Sequence, residues 1–233
     1  MHKLSVVIIT KNEEKFIADA IKSVNFADEV LVLDSGSLDK TCEIAKTNGA
    51  RVEHQEWLGY GMQKNKAVNL AKNHWVFVLD ADERVTVELA AEVKCVLQNK
   101  IASDGFYVAR LNYFFGKEVK SCGLYPDYSI RLFNREKGKF SEAAVHESVQ
   151  LQGKVDKLNN HMVHLAYDNI SEFIEKQNKY SSLNNNTNKI KALFSPIWTF
   201  FKLYILKKGF SEGWRGFVIA SLYAQYTFWK YIK

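Results

Sequence analysis

The sequence predicts an α/β fold, a mostly parallel sheet flanked by helices, and three features carry that expectation. Continuous apolar runs rich in β-branched and aromatic residues occur at Leu4–Thr10, Glu29–Asp34 and Trp75–Asp82, the last ending in two carboxylates, and such runs read as strands buried on both faces. Segments with helical spacing separate them, the alternation that right-handed crossovers and a doubly wound sheet require. Each run also closes on polar residues, and open α/β sheets bind ligands in the crevice outside the carboxyl ends of their strands.

Taken in order, Leu4–Thr10 leads into polar Lys11-Asn12-Glu13-Glu14, then Phe16, Ile17, Ala20, Ile21 and Val24 at helical spacing. Glu29–Asp34 leads into Asp34-Ser35-Gly36-Ser37 and a short helix through Thr41, Ile44 and Ala45. A short strand at Ala50–Glu53 and a glycine-containing loop, Trp57–Gly61, precede a helix with Lys64, Asn65, Lys66, Ala67, Leu70 and Ala71. The central strand then ends in Asp80-Ala81-Asp82. Thr10–Glu13, Asp34–Ser37 and Asp80–Asp82 should therefore meet at one rim.

Two acids at one strand end repel each other unless a cation joins them, and hard oxygen ligands suit Mg²⁺ or Mn²⁺. Metal-assisted phosphate chemistry is one reading of Asp80 and Asp82. The plain alternative is a turn that begins with Asp. The loop after the first strand is Thr-Lys-Asn-Glu, so neither the G-x-G-x-x-G of a dinucleotide site nor a P-loop is present. A phosphatase that needs its D-x-D after the first strand does not fit either.

Composition bounds the rest. With 233 residues and 47% hydrophobic content the chain can bury a full core. Cys42, Cys95 and Cys122 form no C-x-x-C pair, so neither a disulfide framework nor a zinc cluster is indicated, which suits a reducing, cytoplasmic setting. Met1–Lys3 runs straight into a strand, so no secretory leader is expected. The net charge of +6 lies in the tail: Lys189–Lys233 holds eight basic residues against Glu212 alone, and the rest has 24 basic and 25 acidic groups. That distribution argues against a nucleic-acid partner.

The motifs Thr10-Lys11-Asn12-Glu13, Asp34-Ser35-Gly36-Ser37-Leu38-Asp39-Lys40-Thr41, Lys64-Asn65-Lys66-Ala67 and Leu79-Asp80-Ala81-Asp82, in that order, resemble the family 2 glycosyltransferases with a GT-A fold. Tyr125-Pro126-Asp127-Tyr128-Ser129-Ile130-Arg131-Leu132-Phe133, with Val145-His146-Glu147 and His164, resembles the bacterial subgroup that adds sugars to the lipopolysaccharide inner core. The resemblance implies a GT-A catalytic domain over 1–168, its nucleotide-sugar half at 1–100 and its acceptor half at 101–168, with a helical segment at 169–233. It implies that Thr10, Asn12 and Glu13 line the nucleoside of a nucleotide-diphosphate sugar, with UDP the expected nucleotide, and that Ser35 and Gly36 also bind this donor. Asp34 would accept a hydrogen bond from the base. Lys64 would reach base or phosphate, and the alternative for Lys64 and Lys66 is a solvated helix face. Asp80 and Ala81 would meet the donor sugar-nucleotide, Asp82 would hold Mn²⁺ or Mg²⁺, and Asp80 and His164 could complete the metal shell; the alternatives for His164 are a diphosphate contact and a satisfied core histidine.

Family 2 chemistry is displacement with inversion, which needs a carboxylate to take the proton of the acceptor hydroxyl. Glu147 is the first choice for that base and Asp127 the second; the alternative for Glu147 is a surface glutamate on a loop. Arg131 suits either a phosphate contact or a place on the surface. No Q-x-x-R-W signature of processive members occurs, so a single sugar addition to a lipid-linked saccharide is expected. Two alternatives stay open, a sugar-nucleotide nucleotidyltransferase and a non-catalytic module that binds nucleotide-sugar or lipid.

In the tail, Asn169 and Glu172 have capping-box spacing ahead of a helix. From Phe194 to Tyr231 thirteen aromatic residues interleave with Lys and Arg, and the uncharged runs Ala192–Phe201 and Gly216–Trp229 fall short of the ~20 residues that span a bilayer. Basic and aromatic residues in this mixture suit helices in a membrane interface, here the inner face of the cytoplasmic membrane; the alternative is that the rings pack within the protein or on a partner subunit.

Overall fold

The computed structural model describes residues 2–141, 147–167, 169–182 and 187–233, without the side chains of 179 and 180. The chain forms two compact units, Met1–Arg110 with Tyr128–His164, and Leu111–Asp127 with Leu165–Lys233. Sequence reasoning placed one boundary at 168/169. Here the division falls within a strand at 164/165, and 111–127 groups with the C-terminal residues.

The first unit begins β1 (Leu4–Thr10), α1 (Ile17–Ser23), β2 (Glu29–Asp34), α2 (Thr41–Thr47), β3 (Arg51–His54), α3 (Tyr60–Leu70), β4 (Trp75–Asp80), β5 (Glu83–Val85) and α4 (Val87–Gln98). Along the chain there follow β6 (Gly105–Phe114), whose end passes into the second unit, β7 (Lys117–Val119) within that unit, and then β8 (Asp127–Asn134), β9 (Gly138–Phe140), β10 (Val149–Leu151) and β11 (Val155–Tyr167), which ends in the second unit. Among the described residues the main sheet runs β3-β2-β1-β4-β8-β6-β11-β5. Its first four strands are parallel; β8 then pairs antiparallel with β4, and β5 antiparallel with β11.

Both faces of the parallel strands are covered, which is why their sequences are unbroken apolar runs and do not alternate. Val6, Ile8, Val32, Phe77 and Leu79 pack on one side with Ile17 and Ile21 of α1 and Leu89 and Val93 of α4. Val7, Ile9, Leu31, Leu33, Val76 and Val78 pack on the other with Ala67 and Val68 of α3 and with Phe133 and Phe140. Burying each such side chain contributes about 1.5–3 kcal/mol, so the two layers hold the strand ends, and whatever they carry, in fixed register.

The second unit contains α5 (Ile170–Ser181), α6 (Lys189–Phe201), a π-helical turn at Lys202–Leu206, a 3₁₀ turn at Gly209–Glu212, and α7 (Trp214–Ile232). Asn169 caps α5, its Oδ1 accepting from Glu172 N at 2.9 Å. Phe114, Val119, Cys122, Tyr167, Phe173, Ile219 and Leu222 form the core of this unit. Gly216 is required here, because a Cβ would stand 1.8 Å from the Gly209 carbonyl oxygen. No helix among the described residues is long and apolar enough to cross a membrane.

Candidate active site

The rim expected from the sequence follows from strand register. Thr10 stands opposite Asp34 in the β1–β2 pair, and Ile9 opposite Asp80 in the β1–β4 pair, so three strand ends deliver their polar residues side by side.

The loops after β1 and β2 are laced together. Asn12 adopts a left-handed φ of 55°, which Asn tolerates; its N–H donates to Ser37 Oγ and its Oδ1 accepts from Leu38 N, both at 2.8 Å. Glu13 N donates to Thr41 Oγ1 at 2.8 Å. Asp34 Oδ2 accepts from Gly36 N at 2.8 Å and Ser37 N at 3.0 Å, and Oδ1 accepts from Ser37 Oγ at 2.5 Å. Burial alone would raise the Asp34 carboxyl, but these donors outweigh it and hold it below the usual carboxylate range. Asp34 thus shapes the Ser35-Gly36-Ser37 turn. Ser35 Oγ accepts from Gln63 Nε2 at 2.9 Å, and the same fully buried Gln63 ties in the 55–58 loop through Gln55 O and Leu58 N. Thr10 Oγ1 is buried without a hydrogen-bond partner among the described residues, an orphaned polar atom beside Asp34 that a ligand's polar edge would satisfy.

The turn after β4 is anchored by two residues that sequence reasoning missed. Glu83, with no exposed surface, accepts from Asp80 N at 2.9 Å and from the Arg131 guanidinium at 2.5 Å, with Arg110 at 3.5 Å. Burial pushes its carboxyl above the ordinary range despite Arg131. Arg84 donates to the carbonyls of Ala81, Glu83 and Phe16 at 2.7–2.8 Å, clamping the turn to the start of α1. The only sequence signal for either was the density of charge in Asp80-Ala81-Asp82-Glu83-Arg84 beside an apolar strand.

The two aspartates of this turn have different neighbours. Asp80 lies 3.1 Å from Lys64 Nζ and 3.3 Å from Arg131, and these cations outweigh burial and keep it ionised. Asp82 Oδ2 lies 3.3 Å from His164 Nε2; the antiparallel register that sets His164 opposite Glu83 brings the imidazole there. Lys64 is 5% exposed, so it is not on a solvated helix face, whereas Lys66 is. Burial would lower the Lys64 ammonium, but Asp80 and Glu147 raise it. Asn65 between them bonds both backbone groups of Phe140 and ties α3 to β9.

Glu147 Oε1 accepts from Lys64 Nζ at 2.9 Å, so this carboxylate stands at the same cluster as Asp80. Its sequence neighbours Val145 and His146 lie outside the described residues. Asp127 opens β8 and belongs to the second unit. Arg131, left open between phosphate and surface, is buried against Asp80 and Glu83. Among the described residues no three acidic, histidine or cysteine side chains gather as a ready metal-ligand set; Asp82 and His164 form a pair, and Asp80 faces its cations.

Comparison with known proteins bears on what such a rim does. The model of glycosyl transferase family 2 matches residues 5–121. An uncharacterized glycosyltransferase of Rickettsia typhi is 34% identical over all of this chain and 87% of its own length. The lipopolysaccharide core biosynthesis glycosyltransferase LpsC of Rhizobium meliloti is 29% identical over 97% of this chain and 89% of its own. Among solved structures, that of S. aureus TarS 1–349 aligns with 94% of this chain and 78% of that chain at a TM-score of 0.51 and 17% identity, a likeness of fold.

Proposed function

The chain belongs to the family 2 glycosyl transferases, and from that premise we propose that it is an inverting, metal-dependent enzyme moving a sugar from a nucleotide-diphosphate donor to a hydroxyl of a lipid-linked saccharide. UDP is the nucleotide proposed. Similarity to LpsC supports an acceptor of the lipopolysaccharide core class.

The observation that carries the reading is the contrast at the 80–83 turn, where Asp80 faces Lys64 and Arg131 while Asp82 stands beside His164. Asp82 and His164 would hold the metal, a carboxylate oxygen with a neighbouring imidazole, and Mn²⁺ or Mg²⁺ suits the oxygen donor. Charge supports the fit. Among the described residues Asp80, Asp82, Glu83 and Glu147 gather at this turn with Lys64, Arg84, Arg110 and Arg131, so the cluster holds no excess of positive charge for a diphosphate, and a divalent ion would supply it. When bound, the ion would act as a Lewis acid toward the diphosphate and neutralise charge on the departing nucleotide.

In this reading Thr10, Asn12, Glu13, Asp34, Ser35 and Gly36 bind the nucleoside, with the orphaned Thr10 hydroxyl and the Asp34 carboxylate facing its polar edge. Lys64 and Asp80 orient phosphate and ribose, and Ala81 lets the donor approach the turn. Glu147 takes the proton of the attacking hydroxyl; Asp127 is the second choice for that step. The basic, aromatic C-terminal segment keeps the enzyme at the cytoplasmic face of the membrane that carries its acceptor.

A donor screen tests the proposal. Melting is followed with UDP-, GDP- and heptose-nucleotide sugars, each with and without Mn²⁺. At about a hundredfold excess over Kd a true donor contributes about 2.7 kcal/mol, or a rise of roughly 5–10 °C, and it should do so only with the metal. Sugar release from that donor should follow. If no sugar nucleotide shifts melting, the reading fails, and a shift without turnover would leave a binding module.

A further inference from the structure

We infer that α6 is the membrane-docking element of this protein, and that its exposed stripe lies in the headgroup layer of an anionic lipid monolayer. The inference rests on the proposal that the enzyme works at a membrane surface, and it names the residues and lipid class involved.

Ile190, Leu193, Phe194, Ile197, Trp198 and Phe201 of α6 are each between 44% and 74% exposed. Their spacing places all six on one stripe of the helix. Monomers in water rarely leave so continuous an apolar face uncovered. The opposite side of α6 is already committed. Ala192 is buried and Thr199 Oγ1 lies 3.3 Å from Thr227 Oγ1 of α7, while at the edge of the stripe the Phe200 ring meets Phe217 edge-on at 5.5 Å. Asn188 ties the start of the helix to α7 by donating to Tyr231 O at 2.9 Å. One face therefore anchors the helix and the other is left to solvent.

Charge identifies the occupant. At 100° per residue, Lys191 and Lys202 border the stripe on one side and Lys189 on the other, and no acidic residue occurs between Glu175 and Glu212. Cations flanking an apolar stripe match phosphate headgroups above acyl chains, where lysine stems run along the apolar surface and their heads reach the phosphates. Trp198, whose ring lies 5.9 Å from that of Phe201, is of the type that sits at headgroup depth. At 13 residues the helix is too short to span and long enough to lie in the plane. The longer α7 instead buries Gly216, Ile219, Ala220 and Leu222. The sequence alone left these two helices equivalent.

The test is flotation of the full chain with phosphatidylcholine vesicles, with and without phosphatidylglycerol. Wild type should float with the anionic vesicles and weakly or not at all with neutral ones. The double variant Phe194→Asp/Ile197→Asp, with both changes on exposed side chains, should lose at least about tenfold in partitioning while its melting is unchanged. Lys191→Glu/Lys202→Glu should abolish the preference for anionic vesicles. Equal flotation of wild type and the Asp variant would overturn the inference. So would a wild type that ignores vesicles but forms a dimer which the Asp variant dissociates, since a second copy would then be the occupant. Donor hydrolysis measured in parallel separates the two readings: turnover without flotation overturns only this inference, and flotation without turnover overturns only the catalytic one.

Discussion

Arg131→Met is the perturbation with the sharpest consequence. The Arg131 guanidinium lies 2.5 Å from Glu83 Oε1 and 3.3 Å from Asp80 Oδ2, and Glu83 has no exposed surface. Methionine keeps much of the volume and removes the charge, leaving Glu83 with Asp80 N–H at 2.9 Å and Arg110 at 3.5 Å. Breaking a buried pair by removing one partner costs about 3–5 kcal/mol, a fall in Tm of roughly 6–20 °C for a chain of this size. The pH dependence has a definite sign. Burial raises the Glu83 carboxyl above its ordinary range, and loss of Arg131 raises it further. The folded state then binds a proton that the unfolded chain does not, so stability rises as pH falls through the folded-state value. Urea unfolding of wild type, Arg131→Met, Glu83→Gln and the double variant at pH 8 and pH 5 measures all of this. The Arg131→Met penalty should shrink toward pH 5, and the double variant should recover on the order of 2 kcal/mol relative to additivity. A penalty below about 1 kcal/mol, or one that grows as pH falls, would refute the account of this pair.

Asp82→Asn and His164→Ala should each lower Mn²⁺-dependent kcat/KM by about a hundredfold or more, with little change in metal-free melting because neither side chain is fully buried; an unchanged metal titration would count against their role. Asp34→Asn should cost about 1–3 kcal/mol by weakening the bonds to Gly36 and Ser37. The Asp34 carboxyl is lowered on folding, so its contribution is present above the unfolded value near pH 4 and is lost as pH falls through the folded one. Acid unfolding of Asp34→Asn should accordingly be shallower below about pH 4 than that of wild type. Gln63→Leu leaves Ser35 Oγ, Gln55 O and Leu58 N without their side-chain partner and should raise donor KM more than it lowers kcat, as initial rates would report.

Much of the first unit was legible because its signals are local. An unbroken β-branched run such as Val6-Val7-Ile8-Ile9 reads as a strand covered on both faces, and adjacent parallel strands bring their carboxyl ends to one rim. The partners at that rim were not legible. Lys64 and Glu147 are 83 residues apart and Arg131 and Glu83 are 48 apart, and no spacing rule connects them. The sequence could not place Arg131 either, which is buried with its neighbours Leu132 and Phe133 on a strand covered on both faces. Nor could periodicity show that 111–127 groups with the C-terminal helices.

By itself the sequence determined the strand–helix order, the rim on which Thr10, Asp34, Asp80 and Asp82 emerge, and the amphipathic character of the tail. Only the tertiary structure decided that Asp80 faces cations while Asp82 faces His164, that Glu83 anchors the turn from inside, and that α6 leaves its apolar stripe uncovered. The reason is physical: a backbone pattern depends on neighbours a few residues away, whereas the state of a charge or an apolar face depends on whatever distant chain folding brings against it.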